Sequence, residues 1–189
     1  MGRPREHTVV DLRALDLESG AGARLELRVV VDDLTIAGQP YAVSGGEVPV
    51  CLDVSLSPSG WLFRLRFEAE VQGPCLRCLD LARVPIAIDA RDFAATDRPP
   101  GAPFDEDLDS EYLEGERLDV SAWTRDSIAE ALPDIILCRE DCTGLCPTCG
   151  ANLNLGSCAC RPAEEGDARW APLRALAERL REEGGGAGR

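Results

Sequence analysis

Residues 48–71 read VPVCLDVSLSPSGWLFRLRFEAEV and alternate apolar with polar side chains on both sides of a short turn. An apolar residue at every second position over about ten residues is typical of a β-strand with one buried face and one face in water. The SPSG sequence at 57–60 combines serine, proline and glycine, which favour a turn. The stretch therefore predicts two antiparallel strands whose apolar face consists of Val48, Val50, Leu52, Val54, Leu56, Trp61, Phe63, Leu65, Phe67, Ala69 and Val71.

Two further strands are predicted on either side of this hairpin. Residues 84–90 alternate again after the GPCLRCLD segment at 73–80, and RLELRVVVDDL at 24–34 has the composition of another strand. Strands joined by short turns predict an antiparallel β meander or a partly closed barrel. With the helices described next, the fold class is predicted to be α+β.

The composition of the chain changes after residue 95. Residues 96–119 hold nine acids and three prolines, which predicts a flexible acidic linker. DVSAWTRDSIAEALP at 119–133 predicts a helix that is capped by Asp119 or Ser121 and ends at Pro133. A final helix is predicted from Asp167, with an apolar stripe of Trp170, Leu173, Leu176 and Leu180. The predicted domains are residues 1–95 (β domain), 96–119 (linker), 120–183 (helix, cysteine-rich module and C-terminal helix) and 184–189 (disordered tail).

Charge and composition limit the classes of function and the compartment. A net charge of −14 argues against a protein that simply coats a phosphate backbone. No apolar run approaches the length of a membrane span, and the N-terminal sequence lacks the apolar segment of a secretory signal. We therefore expect a cytoplasmic protein without a membrane partner, in which the nine cysteines stay reduced.

Six of the nine cysteines fall within residues 138–160, CREDCTGLCPTCGANLNLGSCAC. Cys146-Pro-Thr-Cys149-Gly has the form of a zinc knuckle, because two thiolates two residues apart can point into one tetrahedral site and glycine permits the tight turn below it. A structural zinc needs four ligands, so the remaining two must come from the flanking cysteines. We predict one closed zinc site, whose candidate ligands are Cys138, Cys142, Cys146, Cys149, Cys158 and Cys160.

Three other roles for these cysteines agree less well with the sequence. A redox dithiol would need a helix N-terminus to stabilise its thiolate, and an iron–sulfur cluster would have different cysteine spacings. A catalytic zinc would keep one position open for water, and the deaminase signature would need a His-x-Glu motif upstream. The single histidine is His7. The sequence therefore predicts a structural metal and no catalytic residues.

A second pair, Cys75 and Cys78, offers only two ligands. It either packs as two small apolar side chains at a corner between strands, or shares the metal of the C-terminal cluster. Arg77 between them is a candidate for binding phosphate or carboxylate, together with Arg64 and Arg66 on the polar face of the preceding strand. The nearby Arg83 extends this set.

Three motifs carry a family resemblance: Cys75-x-Arg77-Cys78, the run from Leu137 to Asn154, and the Asp-Ala-Arg-Trp-Ala-Pro-Leu sequence that begins at Asp167. In these the chain resembles the YceD family, from about residue 45 to residue 181. The resemblance implies a non-catalytic role in accumulation or processing of 23S rRNA and in assembly of the large ribosomal subunit. It also implies a metal that serves stability.

Two mechanisms agree with this resemblance. In the first, the arginines bind large-subunit rRNA directly; in the second, the acidic chain is an adaptor or chaperone for a basic ribosomal protein. Neither mechanism needs a small-molecule substrate. The sequence does not specify the oligomeric state.

Overall fold

Antiparallel β-strands form most of the regular structure in the computed structural model, which describes residues 8–97, 103, 105, 108–160, 173 and 176. The described part also has a short 3₁₀ helix, Leu12–Leu15, and one named α-helix. The elements are β1 (Val9–Asp11), β2 (Gly22–Val30), β3 (Leu34–Ile36), β4 (Gln39–Val43), β5 (Glu47–Ser57), β6 (Gly60–Pro74), β7 (Leu81–Ala95), β8 (Leu113–Glu114), β9 (Arg117–Asp119) and α1 (Val120–Ala131).

The larger sheet is built around the β5–β6 hairpin that the sequence predicts. β2 pairs with β5, and β6 pairs with β7 along its whole length, from Gly60 opposite Ala95 to Pro74 opposite Leu81. The far end of β6 pairs with β4, which in turn pairs with β3. Every pairing is antiparallel. β7 lies outermost beyond β6, a position that tolerates Pro85, because proline lacks the N–H that an inner strand would donate.

One face of this sheet is buried, as the two-residue period predicts. Leu52 and Leu65 face each other across β5 and β6 and are fully buried. Burying each leucine side chain contributes about 1.5–3 kcal/mol. α1 contacts both β7 and β2 and closes this core with Trp123 and Ile128. The strands β2 and β7 are not paired with each other within the described residues, so the closed-barrel alternative is not confirmed, whereas the α+β class fits.

The acidic segment 96–119 is more ordered at its C-terminal end than predicted. β8 and β9 lie within it and form a three-stranded sheet with β1, and Leu118 is fully buried. Tyr112 stacks on Trp123 at a ring distance of 5.8 Å. These apolar residues anchor a segment whose average composition is acidic, so its C-terminal end belongs to the folded part of the first unit.

The chain divides into two compact units, residues 1–142 and 143–189. This division differs from the predicted one because α1 packs on the sheet and therefore belongs to the first unit. The helix predicted from residue 167 and the predicted tail at 184–189 lie outside the described residues, except for Leu173 and Leu176. No helix among the residues that the structure describes is long and apolar enough to span a membrane.

Candidate metal centres

The turn between β6 and β7 holds the first two cysteines of one cluster. Cys75 and Cys78 lie in this turn, and both are buried. The N–H of Cys75 donates to the carbonyl of Asp80 at 2.8 Å, and the N–H of Leu79 donates to the carbonyl of Cys75 at 2.9 Å. These two bonds close the turn tightly, so that both thiols are held on the same side of it.

The segment after α1 supplies the other two cysteines, Cys138 and Cys142. Two hydrogen bonds hold this segment against the turn: the N–H of Leu76 donates to the carbonyl of Ile136, and the Arg77 guanidinium donates to the carbonyl of Cys142, both at 2.8 Å. The sulfurs of Cys75, Cys78, Cys138 and Cys142 all lie within 4.8 Å of one another. We call this group the first cluster.

The sulfur distances in the first cluster fit a tetrahedral metal site. The Cys75 and Cys142 Sγ atoms are 3.8 Å apart, and those of Cys78 and Cys138 are 3.5 Å apart. Four thiolates bound tetrahedrally to zinc at about 2.3 Å have sulfurs about 3.8 Å apart. A disulfide would bring two sulfurs to about 2.0 Å, and all nine cysteines are free. The spacing therefore suits a shared central ion.

Backbone N–H groups favour a thiolate in the first cluster. Burial raises the pKa of Cys75, but N–H groups of Cys138, Cys78 and Arg77 outweigh it and bring the pKa down to about 6. Burial raises the pKa of Cys78. One thiolate among several thiols is the state expected of a four-cysteine site without a metal. A bound cation would stabilise the thiolate form of the other cysteines, which would then release their protons.

The second cluster contains Cys146, Cys149, Cys158 and Cys160, whose sulfurs again lie within 4.8 Å of one another. The N–H of Gly150 donates to the carbonyl of Cys146 at 2.9 Å, and Gly150 has φ = +73°. N–H groups of Cys149 and Thr148 and the Cys158 thiol lower the pKa of Cys146 to about 6. The tight turn predicted after Cys149 is thus present, and its glycine has the left-handed conformation that favours glycine.

The loop between the two cysteine pairs of the second cluster is held by side-chain and backbone bonds. Asn154 accepts hydrogen bonds through Oδ1 from the N–H and the hydroxyl of Thr143, at 2.8 and 2.9 Å. The N–H of Cys146 donates to the carbonyl of Ala151 at 2.8 Å. All four cysteines of this cluster come from residues 146–160, so the second unit contains a complete ligand set.

The grouping of the cysteines corrects the predicted single site. Cys138 and Cys142 do not join Cys146; they join Cys75 and Cys78, which sequence analysis treated as corner residues or as sharers of one metal. The physical reason is that the fold of the sheet and α1 brings the β6–β7 turn to residues 138–142, although the paired cysteines are 60 and 67 positions apart in sequence. The sequence does contain a signal for this grouping. Eight of the nine cysteines can form two sets of four, and four is the number of ligands that a structural zinc needs.

Two of the predicted binding arginines are engaged in ion pairs on the polar face of the sheet. Arg64 donates two hydrogen bonds to the Asp89 carboxylate, both at 2.6 Å. Arg66 donates to the carboxylate of Asp53 at 2.8 Å and to the sulfur of Cys51 at 3.4 Å. The β-pairing places Cys51 directly opposite Arg66. The two ion pairs are diagonal contacts between neighbouring strands on the same face of the sheet.

The remaining two arginines are also engaged within the first unit. Arg83 donates to the Glu70 carboxylate at 3.2 Å, and Arg77 binds the carbonyl of Cys142 as described above. Arg77 therefore has a contact that sequence analysis did not predict, with the backbone of the first cluster. Each of the four arginines thus already has a hydrogen-bond partner within the first unit.

Comparison with known proteins agrees with this arrangement. The family model of the large ribosomal RNA subunit accumulation protein YceD matches residues 63–177, which include both cysteine clusters. The chain belongs to the YceD family. The predicted resemblance is thus confirmed; the name of the family refers to accumulation of the large ribosomal RNA subunit.

Relatives of this YceD family member occur in bacteria and plants. Uncharacterized proteins of Mycobacterium bovis and Mycobacterium tuberculosis are 33% identical to it over 133 residues, which is 68% of this chain and 61% of theirs. A chloroplastic protein of Arabidopsis thaliana, named large ribosomal RNA subunit accumulation protein YCED homolog 1, is 35% identical over 72 residues, 38% of this chain and 22% of its own. The protein of the same name in Zea mays is 46% identical over 46 residues, which is 24% of this chain and 16% of the maize protein.

The match spans about three fifths of the length of the mycobacterial proteins. No solved structure matches the chain.

Proposed function

We propose that this chain is a non-catalytic factor that supports accumulation of the large ribosomal RNA and assembly of the large subunit, and that it carries two structural zinc ions. The observation that carries the proposal is the presence of two complete four-cysteine clusters within a YceD family chain. A site with four protein thiolates leaves no position for water or substrate, which is typical of structural zinc. The first ion would be held by Cys75, Cys78, Cys138 and Cys142, and the second by Cys146, Cys149, Cys158 and Cys160.

Elemental analysis and native mass spectrometry of purified protein test the metal. We expect two zinc ions per chain. Cys142→Ser and Cys149→Ser should each retain one, and Cys51→Ser, which changes a cysteine outside both clusters, should retain two. Iron instead of zinc, or thiols that are freely alkylated in the folded protein without loss of structure, would contradict the assignment.

Depletion of the protein in the organism that encodes it tests the cellular role. We expect less mature large-subunit rRNA relative to small-subunit rRNA, and co-sedimentation of the protein with a large-subunit precursor in sucrose gradients. Small-subunit rRNA should change little and serves as the internal control. A normal ratio of the two rRNAs in depleted cells would sink the proposal.

The second candidate mechanism, an acidic adaptor for a basic ribosomal protein, is supported by the engaged arginines. Arg64, Arg66 and Arg83 already pair with carboxylates, so direct phosphate binding would have to break those pairs. The net charge of −14 repels RNA at long range and attracts a basic protein.

A salt titration separates the two mechanisms. We expect purified basic ribosomal proteins to bind with an affinity that falls as salt rises, and large-subunit rRNA fragments to show no such affinity. A steep salt-dependent affinity for the rRNA fragments alone would instead favour the direct RNA-binding mechanism.

A further inference from the structure

A groove of about 390 Å³ lies between β4 and the turn that carries Cys75 and Cys78. We call it the Leu79 groove. Its walls are mainly apolar, and they include Asp33, Tyr41, Gly73, Pro74, Leu79 and Leu81.

Three leucines in and next to the turn are exposed to solvent. The exposed fraction is 64% for Leu76, 63% for Leu79 and 58% for Leu81. Single exposed leucines are ordinary on a protein surface, but several on one turn beside an apolar groove mark an interaction site. The turn is held rigidly by its hydrogen bonds and by the first cluster, so two of these leucines keep a fixed position against the groove.

The backbone at Leu79 gives an independent reason to assign a role to its side chain. Leu79 has φ = +64°, a conformation that favours glycine. Leu79 comes directly after Cys78, just as Gly150 comes directly after Cys149 in the second cluster. At that second position the residue is glycine, with φ = +73°. A strained leucine, exposed where glycine would serve the turn better, indicates that the side chain is needed for something other than folding.

The opposite wall of the groove depends on a glycine in β6. A Cβ atom added to Gly73 would lie 2.2 Å from Cδ1 of Tyr41, which is far inside contact distance. Gly73 therefore lets the Tyr41 ring lie flat against the strand, where it forms part of the groove. Aromatic rings in such positions offer a large contact area for a partner's apolar side chain.

The charge of the groove limits which binding partners it can accept. Asp33 is the one charged residue among the described residues that line it, and Asp80 lies between the two leucines in sequence. The chain as a whole carries −14. A negatively charged side chain on the wall of an apolar groove, in a chain with net negative charge, disfavours phosphates and favours a cationic partner that can also insert an apolar side chain.

We propose that the Leu79 groove binds a Lys/Arg-rich polypeptide segment by taking up one of its apolar side chains. The inference deepens the proposed adaptor role, on which it rests, by giving the basic partner a defined contact surface. Leu79, Leu81 and Tyr41 supply the apolar contacts, and Asp33 supplies the negative charge.

Fluorescence anisotropy with labelled synthetic peptides and the full zinc-loaded chain tests this. The first peptide places lysines around a Leu-Phe pair, the second replaces that pair by Ser-Ser at the same charge, and the third flanks the Leu-Phe pair with glutamates. We expect the first peptide to bind and to weaken with salt, the second to bind about tenfold more weakly or worse, and the third not to bind.

Leu79→Gly is the decisive variant, because it removes the side chain while suiting the backbone. It should melt at the temperature of the parent or slightly above it, because glycine relieves the strained conformation, and lose about tenfold or more in affinity for the Leu-Phe lysine peptide. Leu62→Ser changes a leucine that is 49% exposed on the polar face of β6, away from the groove lining, and should bind like the parent.

Three results would overturn the proposal. The first is that the parent and Leu79→Gly bind the first peptide with equal affinity. The second is that the parent binds the first two peptides with equal affinity. The third is that a single-stranded RNA oligonucleotide, and not the peptide, binds in a way that depends on Leu79. An experiment in cells distinguishes failure of the groove proposal from failure of the proposed function. If Leu79→Gly supports normal large-subunit rRNA levels while depletion of the protein does not, the groove proposal fails and the proposed function stands.

Discussion

Leu79 and Gly150 follow the second cysteine of two similar turns in one chain, yet only one of them is glycine. Both residues have positive φ, and this conformation costs a leucine about 1–2 kcal/mol relative to glycine. Sequence reasoning anticipated the glycine of the second turn. It did not detect the strained leucine of the first turn, because nothing in the letters CLRCLD indicates that the residue after Cys78 has a positive φ.

The stability of Leu79 variants measures this strain. Leu79→Gly should unfold with a free energy about 1 kcal/mol higher than Leu79→Ala, because alanine keeps the unfavourable conformation and glycine relieves it. Urea unfolding of the zinc-loaded protein, followed by the fluorescence of Trp61 and Trp123, gives both values. If alanine were the more stable variant, Leu79 would not be strained in solution.

Asp53 is the centre of an ion-pair row on the polar face of the sheet. It accepts a hydrogen bond from Arg24 at 2.6 Å and one from Arg66 at 2.8 Å. The hydrogen bond from Arg24 is the largest cause that holds the pKa of Asp53 below its ordinary value; burial opposes it, and the bond from Arg66 adds to it. A carboxyl with a depressed pKa in the folded protein stabilises it above the unfolded pKa of about 3.9, and that contribution is lost as the pH falls further.

Asp53→Asn should therefore destabilise the first unit in a pH-dependent way. We expect a loss of about 0.5–1 kcal/mol that is the same at pH 7 and pH 5 and shrinks as the pH falls below about 4. Urea unfolding curves of parent and variant across this range provide the measurement. A cost that stayed constant down to pH 3 would show that the carboxylate charge is not what matters.

At the scale of elements, alternation in sequence located the long strands well. The patterns at 48–56 and 61–71 correspond to β5 and β6, the pattern at 84–90 lies within β7, and the predicted helix starts with Asp119 as its cap. These elements bury one face each, so their period is visible in the letters. β1, β3, β4, β8 and β9 were not predicted, because strands of two to five residues are too short to show a clear period. Charged residues also surround Leu118 in sequence.

α1 is the element that covers the sheet, and Trp123 is its main contact. The indole lies edge-on to Phe63 at a ring distance of 6.5 Å and stacked on Tyr112 at 5.8 Å, and it is 3% exposed. One side chain thus joins the long hairpin, the helix and the ordered end of the acidic segment.

Trp123→Ala should cost about 3–5 kcal/mol of stability, since it leaves a large cavity between sheet and helix. Trp123→Phe should cost less, because the smaller ring can still contact Phe63. Thermal unfolding followed by circular dichroism measures both, and the zinc content of the folded fraction should stay at that of the parent. Equal stability of the alanine and phenylalanine variants would place the indole outside the core.

At the scale of the whole molecule, the two clusters differ in how far apart their ligands lie along the chain. Cys75 and Cys142 are 67 positions apart, whereas the second cluster draws all its ligands from residues 146–160. Local spacing allowed sequence analysis to identify the knuckle of the second cluster. It could not assign Cys138 and Cys142, because their partners become neighbours only after the sheet and α1 have packed.

This difference predicts unequal consequences when a ligand of each cluster is removed. A link that closes a loop of 67 residues removes about 4 kcal/mol of chain entropy from the unfolded state, and structural zinc binds only the folded form. Cys142→Ser should therefore lower the unfolding free energy of the first unit by several kcal/mol. Cys149→Ser should leave that unit unchanged, since its cluster lies within residues 143–189.

Urea unfolding in a Trp170→Phe background distinguishes the two variants, because the remaining fluorescence comes from Trp61 and Trp123, both in the first unit. Cys51→Ser is the matched control, because Cys51 lies in the first unit but outside its cluster, and it should unfold like the parent. A chelator added to the parent should reproduce the midpoint of Cys142→Ser. If Cys142→Ser and Cys149→Ser shared the midpoint of the parent, the first cluster would not stabilise the fold, whereas equal destabilisation by both would show that the two units unfold together.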